Sequence, residues 1–167
     1  MPTRRKKTWR EKLLDDKDLP KVSVIDGPMS QRWGEGTCVI PAPREVDEIM
    51  KSVPKGRLIT TKEIQAAVAT KHNATIACPM CCGIFAWIAA HAADEAEIEG
   101  TKRITPYWRT LKTGGELNPK FPGGVDALKV RLEAEGHRVV AKGKKWIVSD
   151  FERSLVGIGA KSVVKRR

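Results

Sequence analysis

Two glycine pairs and a helix stop shape the stretch from Ile104 to Gly136, ITPYWRTLKTGGELNPKFPGGVDALKVRLEAEG. After the second pair, the spacing of Leu128 and Leu132 predicts a helix over 125–135 that turns these side chains inward and ends at Gly136. The segment that follows, HRVVAKGKKWIV, places two apolar runs around Lys-Gly-Lys, a pattern that predicts a β-hairpin. The second half of the chain is therefore expected to be a helix followed by a basic hairpin.

A helix-turn-helix pattern precedes this stretch. Thr60 and Glu63 have the spacing of a capping box, which predicts the start of a helix. The apolar segment 76–96 predicts a second, recognition helix that begins near Pro79. Two helices joined by a turn and followed by a hairpin predict a winged helix-turn-helix, mostly α with a small β-hairpin.

The segment 104–136 resembles the active-site segment of the alkylguanine-DNA alkyltransferase family. The residues that carry this resemblance are Pro106, Arg109, the turn Phe121-Pro122-Gly123-Gly124, and Glu135-Gly136. Tyr107 occupies the position of the family's acceptor cysteine, and Trp108 that of its histidine. The resemblance implies the winged helix-turn-helix of the alkyltransferase C-terminal domain.

The residues at the acceptor position argue against alkyl transfer. That reaction needs a thiolate available near neutral pH, whereas a phenol has a reference pKa of about 10 and an indole cannot relay a proton. Tyr107 and Trp108 therefore predict a chain that is not an enzyme. It resembles the cysteine-lacking alkyltransferase-like proteins, which implies non-enzymatic DNA binding through the minor groove, with sensing of alkylated or extruded bases as the finer hypothesis.

The resemblance also assigns functional positions. Tyr107, Trp108 and Phe121 would border a pocket for an extruded base, because aromatic faces suit base stacking; the alternative is that Tyr107 and Trp108 fill that pocket as core. Thr61 and Met80 stand where the family carries an aromatic hydroxyl residue and an inserted arginine. Met80 would then act as an apolar wedge between bases. The remaining assigned positions are Gly83, which allows close approach of a DNA backbone, and the structural supports Pro106, Arg109 and Glu135.

The net charge of +11 favours a polyanionic partner. Basic arms at both ends and a basic segment 101–148 concentrate the positive charge, although solubility alone is an alternative explanation. The predicted phosphate contacts are Arg103, Lys112, Lys142, Lys144 and Lys145. The expected partner is double-stranded DNA, alkylated or not. A downstream repair protein is a candidate partner, and the chain is expected to be a monomer that needs no cofactor.

Four cysteines leave two other functions open. Cys78, Cys81 and Cys82 form a Cys-Pro-Met-Cys-Cys run, but a structural zinc site needs four ligands and a second pair is missing, so no metal is expected. The alternatives to DNA sensing are a thiol enzyme that uses Cys81 or Cys82, and an RNA-binding or protein-interaction module on the same fold.

The predicted organisation has three parts. Residues 1–40 are expected to form a basic arm and an irregular N-terminal extension, residues 41–156 the winged-helix domain, and residues 157–167 a basic tail. No apolar run reaches the roughly 20 residues of a membrane helix, and the basic N-terminus lacks the apolar region of a secretory signal. A cytoplasmic location with reduced thiols is therefore expected.

Overall fold

The computed structural model describes residues 5–156. Within this range the chain forms six α-helices and seven short strands, with two 3-10 turns at Tyr107–Arg109 and Phe151–Ser154. The helices are α1 (Trp9–Leu14), α2 (Pro28–Trp33), α3 (Pro43–Lys51), α4 (Thr61–Lys71), α5 (Pro79–Ile98) and α6 (Gly124–Ala134). The strands are β1 (Lys21–Val24), β2 (Thr37–Ile40), β3 (Ile59–Thr60), β4 (Ile76–Ala77), β5 (Thr110–Leu111), β6 (Val139–Lys142) and β7 (Lys145–Val148). The predicted tail 157–167 and the first four residues lie outside the described range.

Helices α4 and α5 follow one another with a short connection, as the sequence predicted. The Glu63 carboxylate accepts hydrogen bonds from the backbone N–H of Thr60 (2.9 Å) and from its hydroxyl (2.6 Å), which fixes the start of α4. Asn73 has a φ of 53° and turns the chain after α4. Pro79 is the first residue of α5, where its missing N–H costs nothing.

The N-terminal extension contains both a helix and paired strands. Strand β1 pairs antiparallel with β2, and β2 pairs in parallel with β4, immediately before α5. Helix α1 lies against the other half of α5, where Trp9 stacks on His91 with ring centroids 4.5 Å apart. Residues 5–40 are therefore joined to both ends of α5.

Three small sheets make the fold mixed α/β. They are the three-stranded sheet β1-β2-β4, the parallel pair β3-β5 and the hairpin β6-β7. The prediction of a mostly α fold with one hairpin was thus wrong about the sheets. The short strands were missed because pairs such as Ile59–Thr60 and Ile76–Ala77 are too short to show a period of two. The predicted hairpin at 137–148 is present as β6 and β7.

A single hydrophobic core lies between the helices. Its fully buried members come from every part of the domain: Val39, Val46, Met50, Leu58, Ile59, Ile64, Val68, Leu111, Leu117, Leu132 and Val148. Leu128 and Leu132 face inward from α6, as their spacing predicted. No helix among residues 5–156 has both the length and the apolar character needed to cross a membrane.

We expect Leu132→Ala to lower the free energy of unfolding by roughly 2–5 kcal/mol, because it leaves a cavity at a fully buried position. Val130→Ala, on the same helix but 68% exposed, is the matched control and should change stability by less than about 0.5 kcal/mol. Urea unfolding followed by circular dichroism measures both. Equal effects of the two substitutions would contradict the placement of α6.

Candidate nucleic-acid interface

A buried ion pair between Arg109 and Glu135 fixes the two ends of the segment 104–136 to each other. The Glu135 carboxylate accepts hydrogen bonds from the Arg109 guanidinium (Nη2 to Oε2 2.7 Å), from the Trp108 indole N–H (2.8 Å) and from the Gly56 amide (3.1 Å). Arg109 Nη1 donates to the carbonyl of Val53 at 2.7 Å. The two charged side chains are 14% and 7% exposed. The 3-10 turn 107–109, the loop before β3 and the end of α6 are thereby fixed together.

The same contacts determine the charge state of Glu135. Burial alone would raise the pKa of this carboxyl, but hydrogen bonds from Arg109, Trp108 and Gly56 together with the positive charge of Arg109 outweigh it. The pKa of Glu135 therefore lies below its ordinary value. Trp108 takes a structural position here, because its N–H replaces one of the donors that a carboxylate needs when it is removed from water.

The three aromatic residues proposed as a base pocket lie together. The Tyr107 ring meets Trp108 edge to face at 5.4 Å between centroids, and Phe121 at 6.2 Å. Tyr107 and Phe121 are 2% and 3% exposed, whereas Trp108 is half-buried. Pro106 is buried beside them. Trp108 is therefore the member of the group that solvent, or a stacking partner, can reach.

Arg131 of α6 covers these rings, and the sequence did not single it out. Its guanidinium carbon lies 4.4 Å from the Trp108 ring centroid and 5.5 Å from that of Tyr107. Its Nη2 donates to Glu97 at 2.5 Å. Burial raises the pKa of the Tyr107 hydroxyl, and Arg131 only partly opposes the rise. Arg131 lies four residues before Glu135, and this helical spacing was the one sequence signal that could have identified it as part of the site.

The start of α5 exposes apolar side chains. Met80 is 74% exposed and Ile84, one turn later, is 45% exposed. Between them, a Cβ added at Gly83 would meet nothing within 4 Å. An apolar ridge beside an uncovered stretch of helix leaves room for a flat or narrow partner at this end of α5.

Basic and hydroxyl side chains continue from the start of α5. A cavity of about 320 Å³ lies between Pro79 and Lys62 and is also lined by Trp33 of α2, which no sequence pattern identified. The Thr61 hydroxyl lies 3.4 Å from that of Thr113. Glu116, three residues further on, lies 3.8 Å from the ammonium groups of both Lys112 and Lys145. We call the predicted DNA contacts Thr61, Met80, Gly83, Lys112 and Lys145 together the helix-start face.

The other predicted phosphate contacts are placed differently. Lys142 and Lys144 are exposed at the turn of the hairpin that carries Lys145. Arg103 is exposed beyond the opposite end of α5, beside a cavity that it shares with Arg10 and Asp47. A 20-residue helix is about 30 Å long. The structure therefore does not bring Arg103 to the helix-start face.

The four cysteines are all free thiols. Cys78 is the N-cap of α5, and its sulfur accepts the backbone N–H of Cys81 at 3.4 Å. Burial raises the pKa of Cys81 and of Cys82 to about 12 each, with smaller contributions from the neighbouring thiols. Within residues 5–156, no cluster of three or more His, Cys, Asp or Glu side chains is placed to hold a metal ion.

We expect Glu135→Gln to lower the free energy of unfolding by roughly 3 kcal/mol, because it leaves the Arg109 guanidinium without a counter-charge in a mostly buried position. Glu133→Gln, exposed two residues earlier, is the control and should change stability by less than about 0.5 kcal/mol. Urea unfolding at neutral pH measures both. A Glu135 variant as stable as the Glu133 variant would contradict the role of the ion pair.

The stabilisation by Glu135 should also depend on pH. Its folded pKa is lowered below the unfolded value of about 4.3, so the contribution is fully present above that value and is lost as the pH falls through the folded pKa. The stability difference between the parent chain and Glu135→Gln should therefore shrink between pH 7 and about pH 3. Urea midpoints at the two pH values test this. A difference that stays constant with pH would contradict an ionised Glu135.

Comparison with known proteins gives a limited likeness. No protein-family model matches the chain, and no curated protein matches it. Two solved structures are similar: S. pombe Atl1 in complex with damaged DNA containing O6-carboxymethylguanine, and S. pombe ATL in complex with DNA. Each has a TM-score of 0.49 and 17% sequence identity, and covers 68% of this chain and 93% of its own. Both are structures of alkyltransferase-like protein, the family that the sequence motifs of this chain resemble.

Proposed function

We propose that this chain binds double-stranded DNA without chemical reaction, through the helix-start face, and that it recognises alkylated or extruded bases. The observation that carries the proposal is Met80, an unbranched apolar side chain 74% exposed at the start of α5. Apolar side chains at such positions can wedge between base steps in the minor groove. The uncovered helix surface at Gly83 supports close approach of a nucleic-acid backbone.

The charges around Met80 favour the same partner. Lys62, Lys112 and Lys145 lie on or beside the helix-start face, and the positive end of the α5 dipole points to it. Lys142 and Lys144 extend the positive surface along the hairpin. These side chains would contact phosphates and position the duplex without reading its sequence. In this arrangement α4, α5 and the hairpin would act as a winged helix-turn-helix.

Base recognition is proposed to use the outer face of Trp108. Arg131 now occupies that face, but its guanidinium is held by Glu97, which is 42% exposed. An ion pair of this kind is worth only about 0–1 kcal/mol, whereas stacking a base on an aromatic ring is worth about 1–3 kcal/mol. An extruded base could therefore displace Arg131 from Trp108, with the buried Tyr107 and Phe121 supporting the ring from behind.

The thiol-enzyme alternative receives less support. A catalytic cysteine that reacts rapidly at neutral pH needs a pKa lowered by a nearby positive group, whereas burial raises the pKa values of Cys81 and Cys82 to about 12. Tyr107, at the position of the acceptor cysteine, is similarly unsuited because burial raises its pKa. We therefore propose that none of these three side chains accepts an alkyl group.

Duplexes with and without an O6-alkylguanine, titrated by fluorescence anisotropy across a salt series, test this function. We expect tighter binding to the alkylated duplex, with a preference that survives added salt, because base stacking releases no counterions. Trp108→Phe should reduce the preference more than the general affinity. Equal binding that disappears with salt would contradict lesion recognition. No binding even at low salt would contradict DNA binding altogether and favour the RNA or protein module.

We expect Met80→Ala to weaken duplex binding by at least about fivefold, or about 1 kcal/mol, because the substitution shortens the proposed apolar wedge. Ile98→Ala is the matched control, since Ile98 is 79% exposed at the opposite end of α5. It should leave the affinity unchanged. Comparable losses in both variants would remove the helix-start face as the binding surface.

A further inference from the structure

The Cys-Pro-Met-Cys-Cys run has no role in the proposed function, yet the fold gathers its thiols. In the parallel pairing of β2 with β4, Cys38 lies opposite Ile76. Ile76 is two residues before Cys78 in the chain. Cys38 and Cys78 line one cavity of about 210 Å³. Cys38 and Cys78 therefore meet where the N-terminal sheet joins the start of α5, and Cys81 follows three residues later in the helix.

Two of these thiols have the geometry of a dithiol pair. Cys78 is the N-cap of α5 and Cys81 is the third residue of the helix. The Cys78 sulfur is 3.4 Å from the backbone nitrogen of Cys81, and the Cys81 sulfur is only three bonds from that nitrogen. A rotation of the Cys81 side chain can thus bring the two sulfurs to bonding distance without moving the backbone. Cys82, in contrast, is 1% exposed and belongs to the core.

We propose that Cys78 and Cys81 form a reversible disulfide by exchange with a small disulfide oxidant such as glutathione disulfide. The half-buried Cys81 loses its proton to water and attacks the oxidant, forming a mixed disulfide and releasing one glutathione thiolate. Cys78, which is 8% exposed, then loses its proton and attacks the Cys81 sulfur, releasing the second. Two thiols are oxidised by two electrons, and one disulfide oxidant is reduced to two thiols.

The environment of Cys81 sets the expected rate. Burial and the neighbouring Cys78 raise the pKa of Cys81 to about 12, so little thiolate exists at neutral pH and the exchange should accelerate as the pH rises. A thiol that is not stabilised as a thiolate also favours the disulfide once it has formed.

The ring closed by this bond contains Pro79 and Met80. If the proposed function holds, oxidation would fix the backbone that presents Met80 to DNA. The ordering cost of binding would then be smaller. This consequence rests on the proposed DNA binding, whereas the bond itself does not.

Free-thiol counting on the full chain tests the bond. Reduced protein is incubated with glutathione disulfide at about pH 8.5, near the reference pKa of a thiol, and counted with Ellman's reagent after denaturation. The four thiols of the sequence should fall to two, with a mass lower by about 2 Da and one cross-linked peptide containing Cys78 and Cys81. Four thiols remaining, or glutathione adducts alone, would overturn the proposal.

Matched variants identify the partners. The Cys82→Ala variant lacks the adjacent thiol, and its free-thiol count should fall from three to one after treatment with the oxidant. The Cys81→Ser variant should keep its three free thiols. If Cys81→Ser also falls to one, a bond that does not need Cys81 has formed and the proposal is wrong. The peptide map of the unsubstituted chain decides the same point even if a variant fails to fold.

Duplex binding of the reduced and oxidised chains tests the consequence separately. We expect the oxidised chain to bind at least about twofold more tightly, and Cys81→Ser to be insensitive to the oxidant. If the reduced and oxidised chains bind DNA equally while the oxidised chain has two free thiols, the bond is established and its proposed effect on DNA binding is wrong. Absence of DNA binding in both redox states would contradict the proposed function and leave the thiol result intact.

Discussion

The ion pair between Arg109 and Glu135 fixes the relative positions of segments that lie far apart in the sequence. Glu135 ends α6, Arg109 ends the turn that carries Tyr107 and Trp108, and the pair also holds the Val53 carbonyl and the Gly56 amide before α4. Because both side chains are largely removed from water, the Glu135 carboxylate depends on Arg109 and the surrounding donors to remain ionised. The segment before α4, the aromatic group and α6 therefore share one electrostatic support.

Much of this arrangement is encoded locally and could be predicted. The capping pair Thr60 and Glu63 determines where α4 begins, and the spacing of Leu128 and Leu132 determines the inward side of α6. These signals depend on residues three or four positions apart, which chain geometry brings together regardless of the remaining fold.

The rest depended on tertiary contacts that no local pattern reports. Strand β4 is only Ile76–Ala77, and it exists because β2 lies alongside it. Arg131 covers Trp108 because α6 crosses the 3-10 turn, and Trp33 reaches α4 because α2 is held by the sheet that precedes it. Arg103 was grouped with the other cations by charge alone, although the length of α5 separates it from them.

The ends of α5 also differ in charge, and this has a consequence for approach to a polyanion. Asp94, Glu95, Glu97 and Glu99 lie in or just after its last turns, where Arg10 and Arg131 pair with three of them, while Lys62 lines a cavity beside the first turn. The peptide dipole of the helix has the same direction. Within residues 5–156 the acidic side chains of α5 and Lys62 are therefore arranged in the same sense as the helix dipole. The field of a nucleic acid would exert a torque on this arrangement and turn the start of α5 toward the phosphates before contact is made.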